Sequence, residues 1–425
     1  MSQRARARSV LRDPAVARAV AARFVSRTGG AAAFFVGVWG KSTYDLDATP
    51  GQLALVMAAM AVFSLAGSAA SGVLVDRHGP RRVVIAGEVV FVPATLSLAL
   101  AGSMPEMTLL MVPAAFFAGV VFTAVAAFPP FLTDDDDALH RINAAMEAAM
   151  SLSFVAGPAL GAVLVRYWGI DWVFVLDAVT SLVAAAIVRS IAVRRVARRD
   201  RGTGWRELRE GFRCAYSTRA LRLPVVLGSA VWLCFGTFGA LEPIFYREVL
   251  GTGPEALGWI NSVFGLGLIA GSFLLDRMPP ERVNARVMVL AGSLCGVAAI
   301  LYAGTDDLRV VVLGVVLWGV DLGVLFPLVR TLVHVNTPEG YAGRVTGAAE
   351  VHKQGGELVP LAFVGALAGS FGVQRVLIGS GVLLIAVMAL AAREAAAVDR
   401  AARPVGVVHP LPAEEPRNPA PTTPA

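Results

Sequence analysis

The sequence predicts an all-α membrane protein that crosses the bilayer twelve times in two six-helix halves. Three observations carry that fold class. Of 425 residues, 56% are hydrophobic and 16% charged, and mean hydropathy is positive; soluble domains have about 45–50% apolar and ~25% charged residues. Twelve apolar runs each approach the ~20 helical residues that a bilayer requires. The pattern of the first half also returns in the second at a spacing of about 200 residues.

The first span, near 15–40, begins at Asp13-Pro14, an N-cap and first-turn proline. Arg18, Arg23 and Arg27 interrupt it, so only 28–39 is cleanly apolar. The other spans lie near 51–75, 83–103, 106–131, 143–166, 170–190, 220–246, 255–275, 284–304, 308–333, 343–368 and 372–392. The chain divides into a tail over 1–14, a half over 15–192, a basic linker over 193–219, a second half over 220–393, and a tail over 394–425. That last segment is rich in Ala and Pro and is expected to be disordered. The basic N-terminus has no small-residue cleavage site after a short apolar core, so no cleaved signal peptide is expected. Cys214, Cys234 and Cys295 lack metal-ligand spacing and imply no disulfide framework.

Arginine sets the orientation. The loops after spans 2, 6 and 8 carry Arg77, Arg81 and Arg82; eight arginines from Arg194 to Arg213; and Arg277, Arg282 and Arg286. The N-terminal tail adds Arg4, Arg6, Arg8 and Arg12, and the loops after spans 4 and 10 are flanked by Arg141, Arg330 and Arg344. Loops on the other side carry about one cation each, such as Lys41, Arg166, Arg247, Arg309 and Arg375. The bias places both termini in the cytoplasm. It also accounts for the net charge of +6 without nucleic acid, because the arginines are sorted by loop.

The internal repeat is specific. A shift of 200 puts Asp76-Arg77 on Asp276-Arg277 and Arg82-Val83 on Arg282-Val283. A shift of 203 puts Arg141 on Arg344, Glu147 on Glu350 and Gly169 on Gly372, and a shift of 202 puts Pro158 on Pro360. Two six-helix halves in parallel repeat are the plan of the major facilitator superfamily. The loop from Gly72 through Asp76, Arg77 and Gly79 to Arg81 and Arg82 closely resembles that superfamily's signature between helices 2 and 3. The resemblance implies a latch on the cytoplasmic side. Asp76 would face the positive end of helix 11 near Tyr341 to Arg344, held by Arg77. It would hold the outward-open state and break in the inward-open one. A tight hairpin that collects Arg, Asp and Gly only for topology is the plainer alternative.

Helix 5 reads Ser153-Phe154-Val155-Ala156-Gly157-Pro158-Ala159-Leu160-Gly161-Ala162. Gly157, Pro158 and Gly161 resemble the antiporter motif of the superfamily's exporters, with departures at Ser153 and Ala162, where glycines are expected. Small residues permit close helix approach and a proline bends the helix. In span 1, Ser26-Arg27-Thr28-Gly29 resembles the enterobactin-exporter-like branch of drug and siderophore efflux carriers. Gly30 stands where members often carry an acid, and helix 4 has no charge past Glu106.

Charges inside the membrane are costly and suggest function. Asp321 lies mid-span in helix 10; in the superfamily helices 1, 4, 7 and 10 line the cavity, so Asp321 is the first candidate proton carrier. A structural hydrogen bond is its other reading. Glu242, before Pro243 in helix 7, would bind a cation or face external water. Arg27 would contact an anionic substrate or pair with a carboxylate. Glu88 and Asp177 sit on peripheral helices and read as packing residues. In helix 11, Glu350, Lys353, Gln354 and Glu357 fall on one helical face. That stripe should line the cavity or the seam between halves. Lys353 can pair with either acid, leaving one carboxylate unpaired and able to hold a proton. His352 points elsewhere and reads as a packing residue.

The expected protein is a secondary active exporter, not an enzyme, moving a small amphipathic molecule against protons. No Gly-Lys-Ser nucleotide loop occurs, so direct ATP use is not expected. No cofactor, metal or nucleic acid is expected; the partners are a small-molecule substrate, protons and the bilayer, with the chain a monomer. An uptake permease of the same fold is one alternative. A non-transporting membrane sensor or assembly factor is another.

Overall fold

The computed structural model describes residues 13–192 and 204–401. Helix α1, Pro14–Ala32, starts where Asp13 accepts a hydrogen bond from the Ala15 N–H at 2.8 Å, and Pro14 fills the first turn. It continues through two π-helical stretches, Ala33–Val38 and Lys41–Asp45. The wider turn brings residues five apart into register, and the Phe34 and Trp39 rings lie 5.2 Å apart. Then follow α2 (Pro50–His78), α3 (Pro80–Ala99), α4 (Met104–Ala126), α5 (Asp136–Trp168) and α6 (Asp171–Arg189). Thr49 and Gln52 form a capping box at the start of α2. Gly79, at φ 80°, turns the chain from α2 directly into α3, a conformation that favours glycine.

After the undescribed stretch come α7 (Gly204–Ala215), α8 (Arg219–Glu248), α9 (Glu255–Asp276), α10 (Ala285–Ala303), α11 (Leu308–Asn336), α12 (Ala342–Leu361), α13 (Val364–Phe371) and α14 (Val373–Ala401). Gly169 and Gly372, paired by the repeat, both have positive φ, 98° and 84°, at matching helix ends. All regular structure among the described residues is helical. Among the described residues, ten helices are long and apolar enough to cross a membrane. The expected spans 1 and 11 are not among them. The first is loaded with arginine and broken by π turns. The eleventh carries the polar stripe and divides into α12 and α13 after Pro360.

Two segments carry more structure than the expected division of the chain implied. The basic linker holds a helix, α7, whose Gly211 lies against the backbone of Arg344 on α12. The C-terminal tail does not begin at 394: α14 runs on to Ala401, where Asp399 accepts hydrogen bonds from the Ala285 and Arg286 N–H groups at 2.9 and 3.0 Å. Residues 402–425 and 1–12 lie outside the described residues, as do the linker arginines from 194 to 201.

Helix α1 packs on α5 and α6, α3 on α4 and α6, and α2 on α4. Likewise α8 packs on α12 and α14, α10 on α11 and α14, and α9 on α11. The two groups meet chiefly where α5 crosses α9. Ser262 on α9 donates to the Val155 carbonyl at 2.9 Å. At the same end Arg247 reaches the Thr43 carbonyl and Asp47, and Gly365 abuts Gly51. Among the described residues, every hydrogen bond and ion pair between the groups is in this region.

Candidate functional site

A cavity lies between the two groups of helices, walled by Phe34, Phe35 and Trp39 of α1, Met57 and Met60 of α2, Phe235 and Phe238 of α8, Phe264 of α9 and Trp318 of α11. Its carboxylates are Glu242 and Glu357. Glu242 is 6% exposed, so external water does not reach it as one sequence reading had it. Tyr246 donates to Glu242 Oε1 at 2.8 Å, the Asn261 amide donates to the same oxygen at 3.3 Å, and the Tyr246 and Tyr302 hydroxyl oxygens lie 2.5 Å apart. Glu242 has no cation beside it among the described residues. Buried carboxylates require such donors or a proton. Tyr246 follows Glu242 by one turn, a spacing visible in sequence. Asn261 and Tyr302 come from other helices and leave no local signal.

The polar stripe on α12 is divided by depth. Lys353 pairs with Glu350 at 2.8 Å, and its ammonium sits 4.6 Å from the Trp232 ring centre. Gln354 reaches the same Glu350 oxygen at 3.5 Å. Glu357, one turn deeper, reaches the cavity and accepts no hydrogen bond among the described residues. It is therefore the unpaired carboxylate of the stripe. His352 leaves this face: its Nε2 is 2.6 Å from the Tyr216 hydroxyl, and its ring packs on Phe212 of α7.

Asp321 departs from its expected place. It is not among the residues lining the cavity. The helical turn aims it toward α10 and the Cys295 thiol, and its Oδ2 is buried without a partner. Cys295 in turn accepts from the Trp318 indole at 3.2 Å. Arg27 also lies outside the cavity lining. Its guanidinium covers the Phe122 ring at 5.4 Å and interacts electrostatically with Asp177 and Glu88.

The loop residues Asp76 and Arg77 are exposed, and Asp76 makes no hydrogen bond or ion pair among the described residues. Asp76 and the first turn of α12 are not brought together. Arg344 there pairs instead with Glu210 of α7 at 3.2 Å. Arg81 binds the Arg189 carbonyl at the end of α6. Arg82 makes no hydrogen bond or ion pair among the described residues.

Helix α5 sits on the seam. A Cβ on Gly157 would meet the Thr28 carbonyl at 2.5 Å, and one on Gly161 would meet Val36 at 2.9 Å, so both glycines allow α1 to approach. The two departures from the family pattern have local reasons. Ser153 donates to the Phe24 carbonyl of α1 at 3.0 Å. Ala162 fits because α9 presents Gly258 against it and against the Pro158 carbonyl.

The comparisons with known proteins agree with this geometry. A solved bacterial homologue of the human lysosomal transporter Spinster, described as inward-facing and unoccupied, superposes with a TM-score of 0.70 at 13% identity, over 91% of this chain and 96% of that one. The nucleoside transporter NupG, solved as a mutant, gives a TM-score of 0.71 at 11% identity, over 88% and 99%. In sequence, the multidrug efflux pump Tap of Mycobacterium tuberculosis H37Rv is 24% identical over 71% of this chain and 75% of its own length. Macrolide efflux protein A of Streptococcus pyogenes is 21% identical over 53% of this chain. That alignment spans 57% of the relative's length. Residues 19–360 match the family profile described as Major Facilitator Superfamily. The chain belongs to that superfamily, a family of membrane transporters rather than enzymes.

Proposed function

We propose that the chain is a secondary active exporter that moves small amphipathic molecules outward in exchange for protons, by alternating access of two six-helix halves. The observation that carries the reading is the cavity between the two groups of helices, with aromatic walls and the carboxylates Glu242 and Glu357. Aromatic faces and carboxylates together favour an amphiphile with a cationic group. Outward direction is supported by two relatives named for efflux and by the glycine-proline seam of α5.

Twelve crossings follow if α1 with its π turns counts as one and α12 with α13 as another. Every packing relation among α1–α6 given above then has its counterpart among α8–α14, which supports the repeat. With the arginine-rich loops cytoplasmic, the closed end at Gly51, Arg247 and Gly365 faces outward. The state is then inward-facing, and an unengaged Asp76 is what a broken latch requires.

The test uses proteoliposomes holding inside-out carrier and an acidic lumen, with ethidium as the cationic amphiphile. Ethidium should accumulate, and a protonophore should abolish the accumulation. Protonophore-insensitive accumulation would remove proton coupling. No gradient-driven movement of ethidium, or of neutral and anionic amphiphiles tried beside it, would remove the export reading.

A further inference from the structure

A second charged cluster lies in the first group of helices, on the side of α1 away from the cavity. Glu88 on α3 and Asp177 on α6 are each 2% exposed. Thr95 donates to Asp177 Oδ2 at 2.8 Å. Glu88 Oε1, Ser181 Oγ and Arg27 Nε are buried without hydrogen-bond partners. The charged groups facing this space are few. From α1 come Arg27 and Arg23; from α3, Glu88; from α6, Asp177; α4 contributes only the Phe122 ring. Arg23 is turned toward α5, donating to the Met146 carbonyl at 3.2 Å with Glu147 4.0 Å away. Among the described residues, that leaves Arg27 as the one cation facing two buried carboxylates.

One guanidinium matches one carboxylate. A second bare carboxylate in this low-dielectric interface would be a net charge with no counterion and an orphaned oxygen, which is strongly disfavoured. The cluster is neutral only with one proton. A small crevice bordered by Ala19, Arg23, Val84 and Phe128 touches Glu88, and its lining is buried almost throughout. Helix α1 then links this cluster to the cavity through one element: Arg27 lies one to two turns before the π-helical stretch Ala33–Val38, and Phe34, Phe35 and Trp39 beyond it wall the cavity. A π turn is a place where a helix can change register at small cost.

We propose that Arg27, Glu88 and Asp177 form a proton-binding site, separate from the cavity, in which two carboxylates share one proton opposite one guanidinium. Binding of that proton takes the cluster from a net charge of minus one to zero and changes how tightly α1 is held against α6. The cargo carboxylates and this site therefore need not compete for one proton. The inference draws on the export reading only for the use made of the proton, not for its binding.

The test needs no cargo. Purified full-length protein is titrated with acid and base while the infrared carbonyl absorption of protonated carboxyl groups is recorded. Wild type should lose one such carboxyl band per chain that Glu88→Gln and Asp177→Asn each lack, because either variant leaves a one-to-one pair with Arg27. Glu242→Gln should keep that band. Thr95→Val, which leaves both acids in place, should shift its midpoint and serves if the carboxamide variants do not fold. A band set unchanged in Glu88→Gln and Asp177→Asn, or a midpoint unmoved in Thr95→Val, would overturn the proposal. A protein that binds this proton but exports nothing would reject only the export reading.

Discussion

At the residue scale, Glu242 and Asp321 pose the same problem, a carboxylate in an apolar helix, and their surroundings resolve it differently. Glu242 faces the cavity and is held by Tyr246 and Asn261, with Tyr302 behind them. Asp321 faces α10 and the Cys295 thiol. Glu242→Gln should therefore lower gradient-driven ethidium accumulation by roughly tenfold, the effect of losing about 1.4 kcal/mol of coupling interaction, with downhill exchange retained. Asp321→Asn should leave most of the gradient-driven rate. Equal losses in the two variants, measured as flux per folded carrier, would remove the assignment. The sequence made both acids visible but could not rank them. Rank depends on which neighbours face each side chain, and Asn261 and Tyr302 are contributed by distant parts of the chain. The stripe on α12 was more legible because helical periodicity alone puts Glu350, Lys353 and Glu357 on one face.

At the scale of elements, α5 is the member that both groups of helices share. Its glycines admit α1 on one side, and Gly258 of α9 admits it on the other. Gly157→Val would push side-chain carbons into the Thr28 carbonyl and Ala31, and overpacking of this kind costs about 1–3 kcal/mol. The thermal unfolding midpoint of the purified variant should fall by several degrees. An unchanged midpoint would show that α1 and α5 can separate freely. The small-residue motif was readable because close approach demands small residues wherever it occurs. Three features were not. The π turns of α1 have no composition that distinguishes them from an ordinary helix. Helix α7 sits within a linker whose arginines point to topology; its docking depends on the match between Gly211 and Arg344 and between Glu210 and Arg344. The last turns of α14 owe their order to Asp399, which caps the start of α10.

At the scale of the whole molecule, the order of the ten membrane-length helices among the described residues follows from apolar runs, because the bilayer fixes helix length and cost of charge. The conformational state does not follow from them, since one sequence serves every state of a transport cycle. In the inward-facing state proposed here Asp76 is unengaged, and the proposed latch would close in the opposite state. Asp76→Asn should thus lower ethidium transport several-fold while insertion, folding and the closed outer end are unaffected; wild-type turnover in a well-expressed variant would end the latch reading. The most direct measurement concerns the outer end itself, where Gly51 and Gly365 abut. In a carrier whose Cys214, Cys234 and Cys295 have been replaced, Asp47→Cys and Arg247→Cys, whose native side chains pair across that end, should be joined by a bifunctional methanethiosulfonate, which a reductant cleaves. Alternating access predicts that the cross-linked carrier stops transporting ethidium and that a reductant restores it. Undiminished transport by a fully cross-linked carrier would contradict it.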